Sequence, residues 1–175
     1  MKFLISAGHG GGAPGNTASG RVEADICLDL RNIVVSKLRA KGHDVITDGG
    51  LRENLPLSTA IRMIATDRVC IELHTNAGAP TAKGVEVIAK AKDAKLAKAI
   101  AQGIASVLGT TVRRDAGWFD YDKLVKEQGR TLGFVRAGGI IIEAFFQSNA
   151  QELAAYDAKK WLVAQAIVDA LEASK

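Results

Sequence analysis

With 175 residues, 47% hydrophobic and 24% charged, the chain is sized for one globular domain with its own core. Its net charge of +4 is a mild basic excess that suits an anionic partner, without separating nucleic acid, acidic lipid and anionic wall polymer. Two cysteines in apolar surroundings read as free core thiols and exclude a disulfide framework, and no apolar run is long enough to span a bilayer.

Residues Lys2 to Ala7 read as a strand buried on both faces, because the run is near-continuously apolar. The run stops at Ala7, too short for a signal-peptide core, so synthesis in the cytoplasm is expected. Gly8 to Gly20 is a loop with six glycines. From Val22 the apolar residues Ile26, Leu30, Ile33, Val34 and Leu38 recur at helical steps, and Gly42 closes that helix. His43 to Thr47 follows as a second strand, and Leu57 to Thr66 as a short helix after Pro56. Val69 to Thr75 and Gly84 to Ala89 are strands three and four, and Asp93 to Leu108 is an amphipathic helix ending at Gly109. Thr110 to Ala137 has no clean period. Gly139 to Phe146 is a strongly apolar strand holding one acid, Glu143, and Ala150 to Ala173 closes the chain as one or two helices. This alternation predicts an α/β sandwich with a largely parallel sheet.

Three polar residues stand where burial makes them costly. His9 follows the first strand, His74 ends the third, and Glu143 interrupts isoleucines and phenylalanines. Ligands of open α/β sheets sit at the carboxyl ends of the strands, where all three converge if their strands are parallel. Glu23, in the first turn of the helix after the glycine loop, faces the same edge. Two imidazoles and a carboxylate make a catalytic zinc set, and a further acid beside them suits a general base. Desolvation among apolar neighbours should raise the pKa of Glu143. Taken singly, each residue has a plainer reading. A lone strand-end histidine is more often a hydrogen-bonded core residue, and Glu23 is a favourable charge at a helix N-terminus. His43 is assigned no role.

The glycine loop also fits two nucleotide motifs weakly. Gly8 to Ala13 matches G-x-G-x-x-A, but Pro14, Gly15 and Asn16 follow where a helix should open. Gly10 to Thr17 resembles a P-loop, with Asn16 where the phosphate-binding lysine belongs.

The ordered set resembles the zinc-dependent N-acetylmuramoyl-L-alanine amidases of the amidase-3 type. It consists of Gly8-His9-Gly10-Gly11, Glu23, His74-Thr75-Asn76-Ala77, Gly84-Val85-Glu86 and Glu143 ahead of Phe146-Gln147-Ser148-Asn149. The resemblance spans nearly the whole chain. It implies a three-layer, phosphorylase/hydrolase-like sandwich with a mixed, largely parallel sheet, and a single catalytic domain over 1–175. It further implies one Zn2+ per chain on His9, Glu23 and His74, with Glu143 as base and then acid. The substrate would be the amide between the muramic acid lactyl group and L-alanine in peptidoglycan, with no nucleic-acid partner and the oligomeric state left open.

Three departures stand out. Thr47-Asp48 replaces the Thr-Arg usual after the second strand, so the arginine's supporting role is absent or supplied elsewhere. Gly12 to Gly15 replaces a lysine-aspartate loop. Glu72 stands where a small residue is commoner; alternation puts it on the face of His74 and Cys70, as a supporting partner near the metal or paired with a buried base. Asn76 and Arg130 are further candidates for support or substrate contact. The stretch Thr111 to Arg136 is expected to shape the substrate groove, where Arg113, Arg114, Arg130 and Arg136 can meet anionic stem carboxylates. A single domain without a leader would suit a phage endolysin that accumulates in the host cytoplasm and acts on the wall after release. Two other readings compete: a non-catalytic wall-binding or regulatory descendant of this fold, and a nucleotide-binding α/β protein.

Overall fold

A computed structural model describes residues 1–174. In chain order it contains β1 (Lys2–Ala7), a hairpin of β2 (Thr17–Ala18) and β3 (Arg21–Val22), α1 (Glu23–Ala40), β4 (Asp44–Ile46) and α2 (Leu57–Met63). Next come β5 (Val69–Asn76), β6 (Glu86–Ala89) and α3 (Ala94–Leu108), then β7 (Trp118–Asp120), α4 (Tyr121–Gln128), α5 (Gly133–Arg136), β8 (Ile140–Phe146) and α6 (Ala150–Ala173).

The central sheet runs β4-β1-β5-β8-β6-β7. Its pairs are parallel except β6–β8, so the sheet is mixed and mostly parallel, as the element order predicts. One face packs Phe3, Ile5, Ile71, Leu73, Ile142 and Val87 against α1, α3 and α6 in the larger core. The other carries Leu4, Cys70, Ile141, Ile88 and Phe119 under α2, α4 and α5. Two helical layers thus sandwich the sheet. Burial on both sides explains the near-continuous apolar runs of β1 and β8.

Period-2 alternation turns the second face into the functional one. Following it along each strand, apolar Leu4, Cys70, Ile141 and Ile88 give way to Ser6, Glu72 with His74, Glu143 and Glu86. The register places His74 beside Glu143 and Glu143 beside Glu86. Because β6 runs antiparallel, its first residue reaches the edge where β1, β5 and β8 end.

The segment without a clean period resolves into β7, α4 and α5, all short. Helices of eight and four residues span only about two turns and one turn, too few for a clear period, and their packing partners lie elsewhere in the chain. The helix expected over 57–66 stops at Met63, and the closing region is one helix, capped by the Asn149 side chain on the N–H groups of Gln151 and Glu152. Among the described residues no helix is long and apolar enough to cross a membrane.

Candidate metal and catalytic site

His9 lies two residues past β1 with a left-handed backbone (φ 63°). Such a conformation is uncommon outside glycine and is held here by tertiary contacts. The Asn54 side-chain amide donates to the carbonyls of Ala7 and His9. Asn54 is in turn fixed by Arg31, a wholly buried α1 residue whose guanidinium reaches Asn54 Oδ1 at 3.1 Å and Asp48 Oδ1 at 3.4 Å. Asp48 also accepts from Ser6 at 2.7 Å. Asp48, which stands where an arginine is usual, is thus paired with a cation from α1. Arg31 was not singled out in the sequence because a buried cation and its acid seventeen residues later carry no local pattern.

Glu23 opens α1. Its own N–H donates to the Asn16 carbonyl at 2.9 Å and that of Ala24 to Pro14 at 3.1 Å, so the glycine loop closes over the helix start. The loop thereby occupies the donors a phosphate would need, which removes the basis for a nucleotide site. The buried carboxylate of Glu23 is crowded with donors. Oε2 accepts from the Asn16 N–H and side-chain amide at 2.9 Å each and faces His9 Nε2 at 3.0 Å. Oε1 accepts from the Thr75 N–H at 3.1 Å and faces His74 Nδ1 at 3.1 Å. Burial alone would raise the pKa of Glu23, but these partners outweigh it and hold the group well below the usual carboxylate range. Asn16, Thr75 and Gln147 were missed from the sequence. Buried Gln147 accepts from the Thr75 hydroxyl at 2.6 Å and donates to the carbonyls of Asn16 and Arg21, tying loop to strand.

His74 has its other nitrogen, Nε2, at 3.1 Å from Glu72 Oε2. Desolvation pulls this imidazole down, yet hydrogen bonds to Glu23 and Glu72 prevail and lift it to about 10. Glu72 thus partners a site histidine and not a buried base. The two imidazole rings stand edge to face, centroids 5.0 Å apart. Their packing explains two glycines. A Cβ on Gly8 would lie 2.4 Å from the His74 ring, and one on Gly15 would lie 2.6 Å from His9 and 2.7 Å from Glu23 Oε2. Neither position tolerates a side chain while the rings stay in place.

One ligand atom from each of His9, Glu23 and His74 lies within 4.8 Å of the others, which makes the trio a candidate metal site. Tetrahedral zinc with bonds of about 2.0–2.1 Å separates its ligand atoms by roughly 3.3 Å. His9 Nε2 and His74 Nδ1 lie 3.0 and 3.1 Å from the two different oxygens of Glu23, and the 4.8 Å bound on the trio is within small side-chain shifts of this spacing. A cavity of about 240 Å³ opens over the two histidines, lined by His9, Gly10, Ala13, Leu57, Glu72 and His74. Glu143 sits one strand over. It is partly buried, and its Oε2 is shielded with no hydrogen-bond partner among the described residues. Desolvation, reinforced by the Glu23 and Glu86 charges and opposed by His74, pushes its pKa up to about 7. An unpaired buried carboxylate oxygen is costly, and such a group is poised to exchange a proton near neutrality.

The remaining candidates divide. Asn76 turns away from the trio and donates to Glu86 Oε1 at 3.1 Å. Arg130 is exposed, between α4 and α5. Arg113 and Arg114 both meet Glu86, next to Glu143 in the sheet.

The family model described as N-acetylmuramoyl-L-alanine amidase, of the amidase-3 type, matches residues 3–173. The chain belongs to this amidase family. Family membership makes it an enzyme that hydrolyses an amide of peptidoglycan. Solved structures agree on the fold. A Neisseria meningitidis protein assigned as an N-acetylmuramoyl-L-alanine amidase superposes with a TM-score of 0.86 at 34% identity, covering 99% of this chain and 94% of that one. The N-acetylmuramoyl-L-alanine amidase of Clostridium difficile 630 gives 0.79 at 23% identity, over 98% and 95% of the two chains. The catalytic domain of CwlV from Bacillus (Paenibacillus) polymyxa var. colistinus gives 0.78 at 23% identity, over 99% and 98%. No curated protein sequence matches the chain.

Proposed function

We propose that the chain is a single catalytic domain that cleaves the bond between N-acetylmuramic acid and L-alanine. In this reading one zinc ion is held by His9, Glu23 and His74, and Glu143 is the general base and acid. The observation that carries the proposal is the convergence of three ligand atoms within 4.8 Å, beside a shielded and unpartnered carboxylate oxygen.

Bound zinc would supply Lewis acidity toward the carbonyl and would lower the pKa of a water at the site to about 7. The other steps belong to side chains. Glu143 accepts the proton of the attacking water as its oxygen bonds to the carbonyl carbon. It then passes that proton to the alanine nitrogen, so that the C–N bond breaks to a neutral amine and a muramic carboxylic acid. The shielding of its Oε2 keeps bulk water from competing for the proton. Glu72 holds the His74 ring from behind and keeps Nδ1 aimed at the site.

The test is release of new L-alanine amino termini from purified peptidoglycan. Untreated protein should release them, protein stripped by a chelator should not, and added zinc should restore release. Equal release with and without chelator would sink the metal assignment. Replacing Glu72 by alanine should weaken zinc binding by about 10- to 100-fold in competition with a chromogenic chelator. Unchanged affinity would return Glu72 to a purely packing role.

A further inference from the structure

The start of β6 carries an arrangement that neither zinc binding nor proton transfer uses. Residues 111–113 run alongside it, with the Val85 N–H donating to the Thr111 carbonyl and the Arg113 N–H to the Val85 carbonyl. Arg113 and Arg114 are consecutive, so their side chains would diverge on an extended chain. Arg114 instead adopts a left-handed backbone (φ 56°), and Ala116 does the same (φ 50°). The turn brings both guanidinium groups to one carboxylate. Arg113 Nε lies 3.2 Å and Arg114 Nε 3.1 Å from the same oxygen, Glu86 Oε2, while Oε1 is taken by Asn76. Each guanidinium also lies over an aromatic ring, Arg113 4.9 Å from the Phe146 centroid and Arg114 4.2 Å from that of Phe119.

Arginine–carboxylate pairs are frequently bidentate, with two parallel N–H groups on the acid. Here both arginines spend only Nε on Glu86. Arg113 adds one long contact from Nη1 to the Lys83 carbonyl at 3.4 Å, and the Nη groups of Arg114 have no acceptor among the described residues. Two cations share one buried acid, which leaves a net positive charge and free fork donors beside Glu143. We propose that Arg113 and Arg114, held side by side on Glu86, form a carboxylate-binding subsite that reads an acidic residue of the substrate's peptide stem. The proposal rests on the amidase reading above.

Distance supports the second residue of the stem. Strands lie about 4.8 Å apart, so Glu86, two strands from His74, is roughly 10 Å away across the edge. An extended peptide covers roughly 3.3–3.6 Å per residue, which puts a side group of the residue after L-alanine beside the arginines when the scissile amide faces Glu143. The surface is accessible, since the Arg113 and Arg114 side chains are 33% and 42% exposed, against 8% for Glu86.

Two synthetic substrates test this, both with the γ-carboxyl of the second residue capped as its methylamide: muramyl-L-alanyl-D-isoglutamate with a free α-carboxylate, and the same compound with that carboxylate converted to a carboxamide. Wild type should cleave the acid with kcat/KM about tenfold or more above the amide. Arg113→Met and Arg114→Met should each shrink that ratio, and Arg114→Lys should keep part of it. The ratio does not depend on how much of a variant folds, so partial misfolding cannot mimic the result. Calorimetry on chelated protein gives a second readout: L-alanyl-D-isoglutamate should bind more tightly than its amide to wild type, and equally to the arginine variants. Cleavage of both substrates by wild type without preference, or variants that keep the ratio, would show an ion pair of structural importance only. Cleavage of neither substrate would overturn the amidase reading itself, and this subsite with it.

Discussion

Replacing Glu143 with glutamine is expected to lower kcat by about 10²–10⁴-fold while raising the stability of the chelated protein at pH 8. The two effects share one cause. The wild-type carboxyl is pushed up to about 7 by desolvation, whereas in the unfolded chain it titrates near 4.5. Below about pH 4.5 both states carry the proton and the group is neutral toward folding. As the pH rises through that value the unfolded chain releases its proton first and gains on the native state, and above about 7 the penalty is complete. A difference of that size corresponds to roughly 3 kcal/mol. Glutamine keeps the shape, carries no charge and cannot shuttle a proton. The gain in melting temperature of Glu143→Gln over wild type should therefore be larger at pH 8 than at pH 5, with zinc content unchanged in the reloaded protein. A variant that retained activity, or that melted lower at both pH values, would refute the role assigned to this residue.

Glu23→Ala should be the most damaging change among the metal ligands. It removes the common acceptor of the Asn16 N–H and side-chain amide, the Thr75 N–H and the two histidines, all in a buried setting. Stripping one member from such a buried cluster costs on the order of 3–5 kcal/mol. The variant should thus lose zinc and hydrolysis and also melt lower when both proteins are chelated. His9→Ala should lose zinc and activity with a much smaller effect on the chelated protein, because the imidazole is 27% exposed and makes one contact to Glu23. Equal melting of chelated wild type and Glu23→Ala would show that the carboxylate does not organise the loop. The lowered pKa of Glu23 adds a pH signature. Its stabilisation is present above about 4.5, the unfolded value, and is lost as acid protonates the folded group. His74 behaves oppositely. Its raised pKa stabilises fully below 6.5, and that contribution is lost as the pH climbs through about 10.

These expectations separate what the chain spells out locally from what folding assembles. Sheet and helices were legible because apolar period and glycine punctuation are local. Lys2 to Ala7 matches its strand at both ends, and the helices over 94–108 and 150–173 fall where their patterns place them. The grouping of His9, Glu23 and His74, with Glu143 one strand over, was legible for another reason: a polar side chain just after or inside an apolar strand, or opening a helix behind a glycine loop, is conspicuous. The short elements between 110 and 137 were not, since helices of one or two turns acquire their faces from partners distant in sequence.

By itself, then, the sequence determined the α/β class, a largely parallel sheet, and the strands whose polar interruptions stand out. Apolar runs and glycine punctuation are written in consecutive residues, so no distant contact is needed to read them, whereas the order β4-β1-β5-β8-β6-β7 is set by pairing between distant segments. Only the tertiary structure decided how those groups are held. The buried Arg31 pairs with Asp48 after β4 and, through Asn54, pins the backbone of His9. Gln147 and Thr75 tie the glycine loop to β5, and the left-handed turn at Arg114 brings two adjacent arginines onto Glu86. Each of these depends on side chains that are far apart in the chain or on a backbone angle imposed by packing, and neither leaves a pattern in neighbouring residues.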